Sequence, residues 1–479
     1  MVFSSIIFLS AFLPLTLLLY YIPFSIKYKN AILIIMSLIF YSFGEPVYIF
    51  LMLGSVLMNY IFGVLLGKDK SDKKRKLILI LSVVFNLVLL GVFKYTGFFV
   101  TSINNVAGAS IPVPKIELPI GISFYTFQAM SYVIDVYRDR KQVQKSFPKL
   151  LLYISFFPQL IAGPIVRYHD IDVQLKKRGI NGGGTAEPAM IVSGIERFIK
   201  GLSKKVIIAN AMGQIADTIY ALDISRYNAL TAWLGACAYV FQIYYDFSGY
   251  SDMAIGLAKM FGFEFLENFD HPYSSLSIKE FWRRWHISLS TWFKEYVYIP
   301  LGGNRKGKLR TRINKIIVFF LTGFWHGANW TFIIWGLFHG LFLIIEDVIT
   351  EHRSNRQSDR VALKVLKNIY VWIVVIVGFV FFRADSIGYA LNFIRRMFTG
   401  FNTDRNSLSI VLQQLNPYNV FIFIIALLLS YPVSSVINKR FKDKKIYKLI
   451  LAVGSLCLLM LCILNLASEA YNPFIYFRF

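Results

Sequence analysis

Residues Phe324 to Gly340 read FWHGANWTFIIWGLFHG. Two imidazoles, His326 and His339, and one amide, Asn329, stand among Phe324, Trp325, Trp330, Phe332, Trp335 and Phe338. The rest of the stretch suits lipid, where an ionisable group is costly and as a rule faces a cavity or the protein interior. That makes His326 a candidate functional residue, with Gly327 giving close backbone approach and Asn329 a polar partner. On one continuous helix His326 and His339 stand 13 positions, about 220°, apart. They then face opposite sides, so His326 needs a partner from elsewhere and His339 is expected to be structural.

The whole chain repeats this apolar pattern. Its 479 residues are 56% hydrophobic and only 16% charged, against about 25% charged in a soluble domain. The apolar residues come in runs near the roughly 20 residues that cross a bilayer. The fold class is an all-α polytopic membrane protein with about eleven spanning or re-entrant segments. The net charge of +24, from 51 Lys and Arg against 27 Asp and Glu, sits in short loops between these runs, where basic residues fix orientation. Topology therefore accounts for the basicity without nucleic acid, and an anionic cytosolic substrate is also compatible with it.

Basic loops place SIKYKN (Ser25–Asn30), KDKSDKKRK (Lys68–Lys76), RDRKQVQKSFPK (Arg138–Lys149), GGNRKGKLRTRINK (Gly302–Lys315) and KRFKDKKIYK (Lys439–Lys448) inside. EHRSNRQSDR (Glu351–Arg360) joins them, GEPVY (Gly44–Tyr48) lies outside, and the C-terminus is expected to be extracytoplasmic. The N-terminal run lacks a basic leader and a small-residue cleavage site, so it reads as a retained membrane helix. Cys237, Cys457 and Cys462 lie in apolar runs with no ligand spacing.

The expected organisation is a single membrane domain over residues 1–479: N-terminal helices 1–117, a catalytic core 118–340, C-terminal helices 341–466 and a tail 467–479. The core is richer in Pro, Gly and polar residues, as in LPIGISFYTFQAMSYVIDVY and FFPQLIAGPIVRY. Interrupted helices are tolerated at membrane depth where protein or a cavity covers the backbone. Two segments read as amphipathic helices in the cytoplasmic interface: GIERFIKGLSKKVIIANAM (Gly194–Met212) and SIKEFWRRWHISLSTWFKEYVY (Ser277–Tyr298).

The second segment carries His286, the expected partner of His326, with Arg283 and Arg284 as candidates for donor phosphates. Two imidazoles around one reacting bond suit acyl transfer, one as general base and the other orienting the group or stabilising an oxyanion. Asp246, Ser248 and Asp252, in YYDFSGYSDMAIG (Tyr244–Gly256), either line a channel or join helices through hydrogen bonds. No metal cluster, P-loop or nucleophile elbow appears in the sequence, so no metal is expected.

The succession WRRWHISLSTW, LGGNR and FWHGANW resembles the membrane-bound O-acyltransferase superfamily, and within it the bacterial proteins that O-acetylate alginate, peptidoglycan and related polysaccharides. The likeness extends through LIAGPIVR, DFSGYSDMAIGL, ENFDHPY and a closing NPFIYFRF. It implies a ring of helices around a core with a cytoplasmic tunnel and an extracytoplasmic funnel, in a bacterial plasma membrane. It assigns the essential histidine, read as the catalytic base, to His326 and the second position to His286, with Asn329 beside them. Acetyl-CoA is then the donor substrate, no cofactor is bound, and a separate extracytoplasmic esterase-like (SGNH) acetyltransferase passes the acetyl group to a polysaccharide.

The tail SEAYNPFIYFRF (Ser468–Phe479) reads either as an interfacial aromatic belt or as a swinging acceptor with Tyr476 as acyl carrier, a role the resemblance suggests. From Leu466 to Tyr476 an extended chain reaches about 33–36 Å. Two other classes compete: a polysaccharide or lipid-linked sugar transporter using Asp246 and Asp252, which should show an inverted repeat that the sequence lacks, and a non-catalytic scaffold.

Overall fold

The computed structural model describes residues 1–68, 71–223, 227–352, 360–401, 405–441, 443–468 and 471–475. Helix makes up 78% of the described residues, and no strand occurs among them. In the described residues, five helices are long and apolar enough to cross a membrane: Tyr48–Gly67, Asp72–Ala107, Trp330–Glu351, Val361–Arg383 and Lys445–Ser468. A sixth span results if Ser407–Gln414 and Pro417–Leu429, bent by 71° at their junction, count as one. The last helix exposes Leu456, Met460 and Leu464 by more than half, an apolar surface that lipid and not water would cover. Other core helices are short or rich in polar groups, and the expected eleven segments merged these two kinds.

The contacts divide the chain into two compact units, residues 1–199 with 250–266, and residues 200–249 with 267–479. The first is organised around Ile122–Arg138, a helix buried on nearly every side. Gly121 starts it in the left-handed region at φ 78°. Tyr48–Gly67 packs against it so closely that a β-carbon on Gly63 would fall 2.2 Å from the Tyr132 hydroxyl. Arg178 closes this unit's polar seam, donating to the Tyr20 hydroxyl, Asn30 Oδ1 and the Phe261 carbonyl at 3.2, 2.8 and 3.1 Å.

The second unit is built on a hairpin, and here the structure corrects the continuous helix expected for residues 324–340. One helix, Gly307–His326, ends at His326; after Gly327, Ala328 and Asn329 a second, Trp330–His352, runs back along it. Asn329 turns the corner: its Oδ1 accepts from the Thr331 backbone N–H at 3.1 Å and its Nδ2 donates to the Asp385 carbonyl at 3.0 Å. The two helices touch at glycines. A β-carbon on Gly323 would lie 2.2 Å from the Phe332 carbonyl oxygen, and one on Gly336 would lie 2.2 Å from that of Phe319. Lys308 and Arg312 pair with Glu351, and Lys315 with Asp347, at the open end.

The two expected interfacial helices are also corrected. Ser277–Tyr298 forms two short helices, Ile278–Arg284 and Ile287–Phe293, and its tryptophans Trp282, Trp285 and Trp292 are buried. Glu346 of the hairpin accepts from the backbone N–H groups of Ile278 and Lys279 at 2.6 and 3.0 Å, which seats the first short helix on the hairpin. In the stretch from Gly194 to Met212, Lys205, Asn210 and Met212 are buried too. A helical wheel shows which face is apolar; it does not show that the polar face has partners inside.

Gly323→Ala is expected to destabilise the purified protein by about 1–3 kcal/mol, the usual cost of forcing a methyl into a filled contact. Gly54→Ala, whose β-carbon meets nothing within 4 Å, should leave the melting temperature equal or slightly raised. Thermal unfolding in one detergent compares the two.

Candidate active site

His326 occupies the last position of its helix, at the hairpin turn, and is 2% exposed. Aromatic rings wall it: Trp325, Trp335 and Phe382 have centroids 5.0, 5.1 and 5.2 Å from its own. The next imidazole is His286, centroid to centroid 6.3 Å. The structure thus brings the two expected histidines together, close enough to address one reacting group.

His286 joins the two short helices and is fully buried in the left-handed region, at φ 45° and ψ 54°. Non-glycine residues rarely adopt that conformation, and functional sites are among the places that hold them there. Asn268 holds it. The Asn268 backbone carbonyl accepts from Ile287 N–H at 2.9 Å, and its side-chain Oδ1 accepts from the N–H and hydroxyl of Ser288 at 3.1 and 2.9 Å. A backbone N–H only donates, so the amide atom facing it is the oxygen. That same oxygen lies 3.2 Å from His286 Nδ1, which assigns the proton to Nδ1 and leaves the lone pair on Nε2. Nε2 is buried and makes no hydrogen bond.

This residue lies outside the apolar spans, and burial alone pushes its pKa down to about 3. The ring is therefore neutral, with an open basic nitrogen set by a neutral amide. A buried imidazole held in one tautomer by a hydrogen-bond acceptor is the arrangement a general base requires. Phe247, edge-on at 4.6 Å, packs against the same ring.

A cavity of about 200 Å³ lies against the short helices that flank His286 and the hairpin helix that ends at His326; neither histidine is among its lining residues. Trp282, Leu289, Phe293, Val318, Phe319 and Leu343 form its apolar wall, and Lys279, Arg283, Lys294 and Lys315 contribute cations to its lining. Thr322, one helical turn before His326, also lines it. Arg283 therefore faces the cavity as expected of a phosphate contact. Arg284 instead pairs with Glu280 and Asp270 at 2.9 and 3.5 Å.

The other candidates are dispersed. Asn329 holds the hairpin turn. His339 packs between Trp282 and Trp335, at 5.2 and 5.3 Å, where the absent side chain of Gly378 leaves it room. Both its nitrogens are buried without a hydrogen-bond partner, which nothing in the structure explains. Asp246 pairs with Lys205 at 2.8 Å in the second unit, and Asp252 with Arg197 at 2.6 Å in the first. Ser248 Oγ is buried and makes no hydrogen bond. The tail from Tyr471 to Ile475 is packed in the second unit, with Phe474 and Ile475 buried; Tyr476 lies outside the described residues. Asn268, within ENFDHPY, and Lys205 are residues that sequence reasoning missed.

Residues 38–387 match the model of the membrane-bound O-acyltransferase family. The probable alginate O-acetylase AlgI of Pseudomonas aeruginosa is 43% identical over 83% of this chain and 75% of its own length. That of Pseudomonas putida is 39% identical over the full length of both chains. The peptidoglycan O-acetyltransferase of Helicobacter pylori is 37% identical over 83% of this chain and 80% of its own. The chain belongs to the membrane-bound O-acyltransferase family. It is a multi-pass membrane enzyme that transfers acyl groups to oxygen.

Replacing Asn268 by Ala removes the acceptor that fixes the His286 tautomer. Turnover is expected to fall about tenfold to a hundredfold, part of the 10²–10⁴ that a positioned base supplies. Asn268→Asp places a carboxylate at Nδ1 and raises the imidazole pKa by about 1–3 units. An acid limb should then enter the pH–rate profile at about pH 4–6, because the ring protonates as pH falls through that range; the wild-type profile should carry no such limb from His286.

Proposed function

We propose that this protein is the membrane half of an acetyl relay that feeds O-acetylation of an extracytoplasmic polysaccharide in a bacterial plasma membrane. The observation that carries the reading is the pair His286 and His326, on helices that also wall an apolar cavity lined with Lys279, Arg283, Lys294 and Lys315. A coenzyme A thioester has that chemistry: phosphates for the cations and a slender arm for the apolar wall. The basic loops that open the cavity's end of the hairpin argue for donor entry from the cytosol. The tunnel, the funnel, the eleven-segment topology and an extracytoplasmic C-terminus belong to this proposal.

The chemistry needs one proton moved and one bond exchanged. His286 Nε2, with its lone pair free, takes the proton of an acceptor hydroxyl. The oxygen attacks the thioester carbonyl, the C–S bond breaks, and the leaving thiolate recovers the proton as free CoA. His326, held by its aromatic walls at the turn, orients the hydroxyl and steadies the developing oxyanion. The sequence reading gave His326 the role of base; the Asn268 contact supports His286 for that step and His326 as its partner. The hydroxyl is that of Tyr476, whose phenol needs such a base because its ordinary pKa is near 10. An esterase-like partner outside the membrane then receives the acetyl group and passes it to the polymer. The relatives' acceptors, alginate and peptidoglycan, set the class of polymer.

The transporter reading loses ground, since Asp246 and Asp252 are both held in ion pairs.

Purified protein incubated with acetyl-CoA is expected to gain one acetyl group on its C-terminal peptide, read by peptide mass spectrometry. His326→Ala and His286→Ala should each lower the rate of that gain by about 10²–10⁴, and Tyr476→Phe should abolish it while acetyl-CoA still binds. Full acetylation of the polymer in cells carrying only His326→Ala would end the assignment.

A further inference from the structure

The second unit contains a buried ion pair that the chemistry above does not use. Lys205 and Asp246 are 3% and 2% exposed and lie 2.8 Å apart. Buried charges of this kind persist where each remaining donor and acceptor has a partner, and here the C-terminal tail supplies partners to both. Lys205 Nζ, ion-paired with Asp246 Oδ1, donates hydrogen bonds to Asn210 Oδ1 at 2.9 Å and to the carbonyl of Pro473. Asp246 Oδ2 accepts from the backbone N–H of Ile475 at 2.8 Å. Asn210 Nδ2 donates to the Tyr471 carbonyl at 3.2 Å. The Tyr471 hydroxyl donates to Asp217 at 2.7 Å, and Asp217 is itself paired with Arg383 at 2.8 Å. Gly213 leaves the room: a β-carbon there would meet the Tyr471 hydroxyl at 2.9 Å.

We infer that Lys205, Asp246 and Asn210 form a docking clamp for the chain's own C-terminal tail, and that these positioning residues deliver the residue after Ile475 to the paired histidines. Two features of the structure carry this. The clamp reads backbone atoms of residues 471, 473 and 475, so it grips a course of chain and not a single side chain. It is also built into the active-site wall: Phe247, whose ring packs on His286, is the residue next to Asp246 in the same helix. The next residue after Ile475 is Tyr476. The tail is therefore a fixed delivery device, held by main-chain contacts and sealed by buried Phe474 and Ile475. Its delivery role rests on the relay reading above; the docking does not.

The test uses the full-length protein in detergent with two readouts. Carboxypeptidase digestion followed by mass spectrometry reads docking, and the acetyl adduct on the C-terminal peptide reads delivery. The double substitution Lys205→Met with Asp246→Leu leaves no unpaired buried charge, and Asn210→Ala leaves the ion pair intact. Each is expected to speed removal of residues 471–475 by about tenfold or more, the factor one lost hydrogen bond sets. Each should slow formation of the tail adduct in proportion. Wild-type digestion rates in a monodisperse double variant, or in Asn210→Ala if the double variant does not fold, overturn the clamp. Faster digestion with an unchanged adduct rate keeps the docking and overturns delivery. A wild-type protein that forms no tail adduct, yet loses tail protection in the variants, overturns the relay alone.

Discussion

The backbones of Gly323 and Phe332 approach so closely that no β-carbon fits between them, and the active site depends on that contact. With the helices pressed together, a three-residue turn suffices to reverse the chain. The reversal leaves His326 at the tip with Trp335 of the returning helix beside it. Farther down the same helix, Glu346 receives two backbone amides of the short helix that begins at Ile278, and the strained residue at that helix's far end is His286. One helix–helix distance thus sets the positions of both imidazoles. Wider spacing would lengthen the turn, withdraw Trp335 and shift the carboxylate that seats the second histidine's segment.

Much of this was legible in the sequence, though unevenly. Apolar runs and the placement of Lys and Arg identify a membrane protein from composition alone. His326 and His286 stand out because imidazoles in apolar or amphipathic surroundings need a reason. The turn at Gly327–Asn329 did not stand out, because a run of aromatic residues without proline gives no periodic sign of a break. Asn268 was invisible for a different reason. Its partner is a nitrogen that faces it only because His286 adopts a left-handed backbone, and no spacing rule encodes that. Lys205 was misread because amphipathic periodicity describes a polar face whether water, lipid headgroups or a buried aspartate lies against it.

The unit holding the histidines gathers its polar groups into a few satisfied clusters within an otherwise aromatic interior. Each cluster fixes a piece of backbone: Asn268 fixes the kink at His286, Asn329 the hairpin turn, Lys205 and Asp246 the tail. This economy follows from the surroundings. In a medium of low polarity an unmatched N–H or carboxylate is expensive, so polar residues persist where they both find partners and hold something in place. Not every buried polar atom is satisfied: Ser248 Oγ and both nitrogens of His339, an imidazole with room made for it, make no hydrogen bond.

The choice of an amide in place of a carboxylate behind His286 has a bioenergetic consequence. A histidine backed by an aspartate can keep its second proton for long periods, and in an energised membrane such a ring offers a resting place to protons moving down their gradient. Asn268 supplies no countercharge. The imidazolium gains nothing from its neighbour beyond a hydrogen bond it already had, so in the proposed relay its lifetime is limited to the moment when a leaving thiolate stands ready to take the proton back. In the proposed relay, proton transfer is thereby tied to acyl transfer, and no long-lived imidazolium is left to pass protons down a gradient.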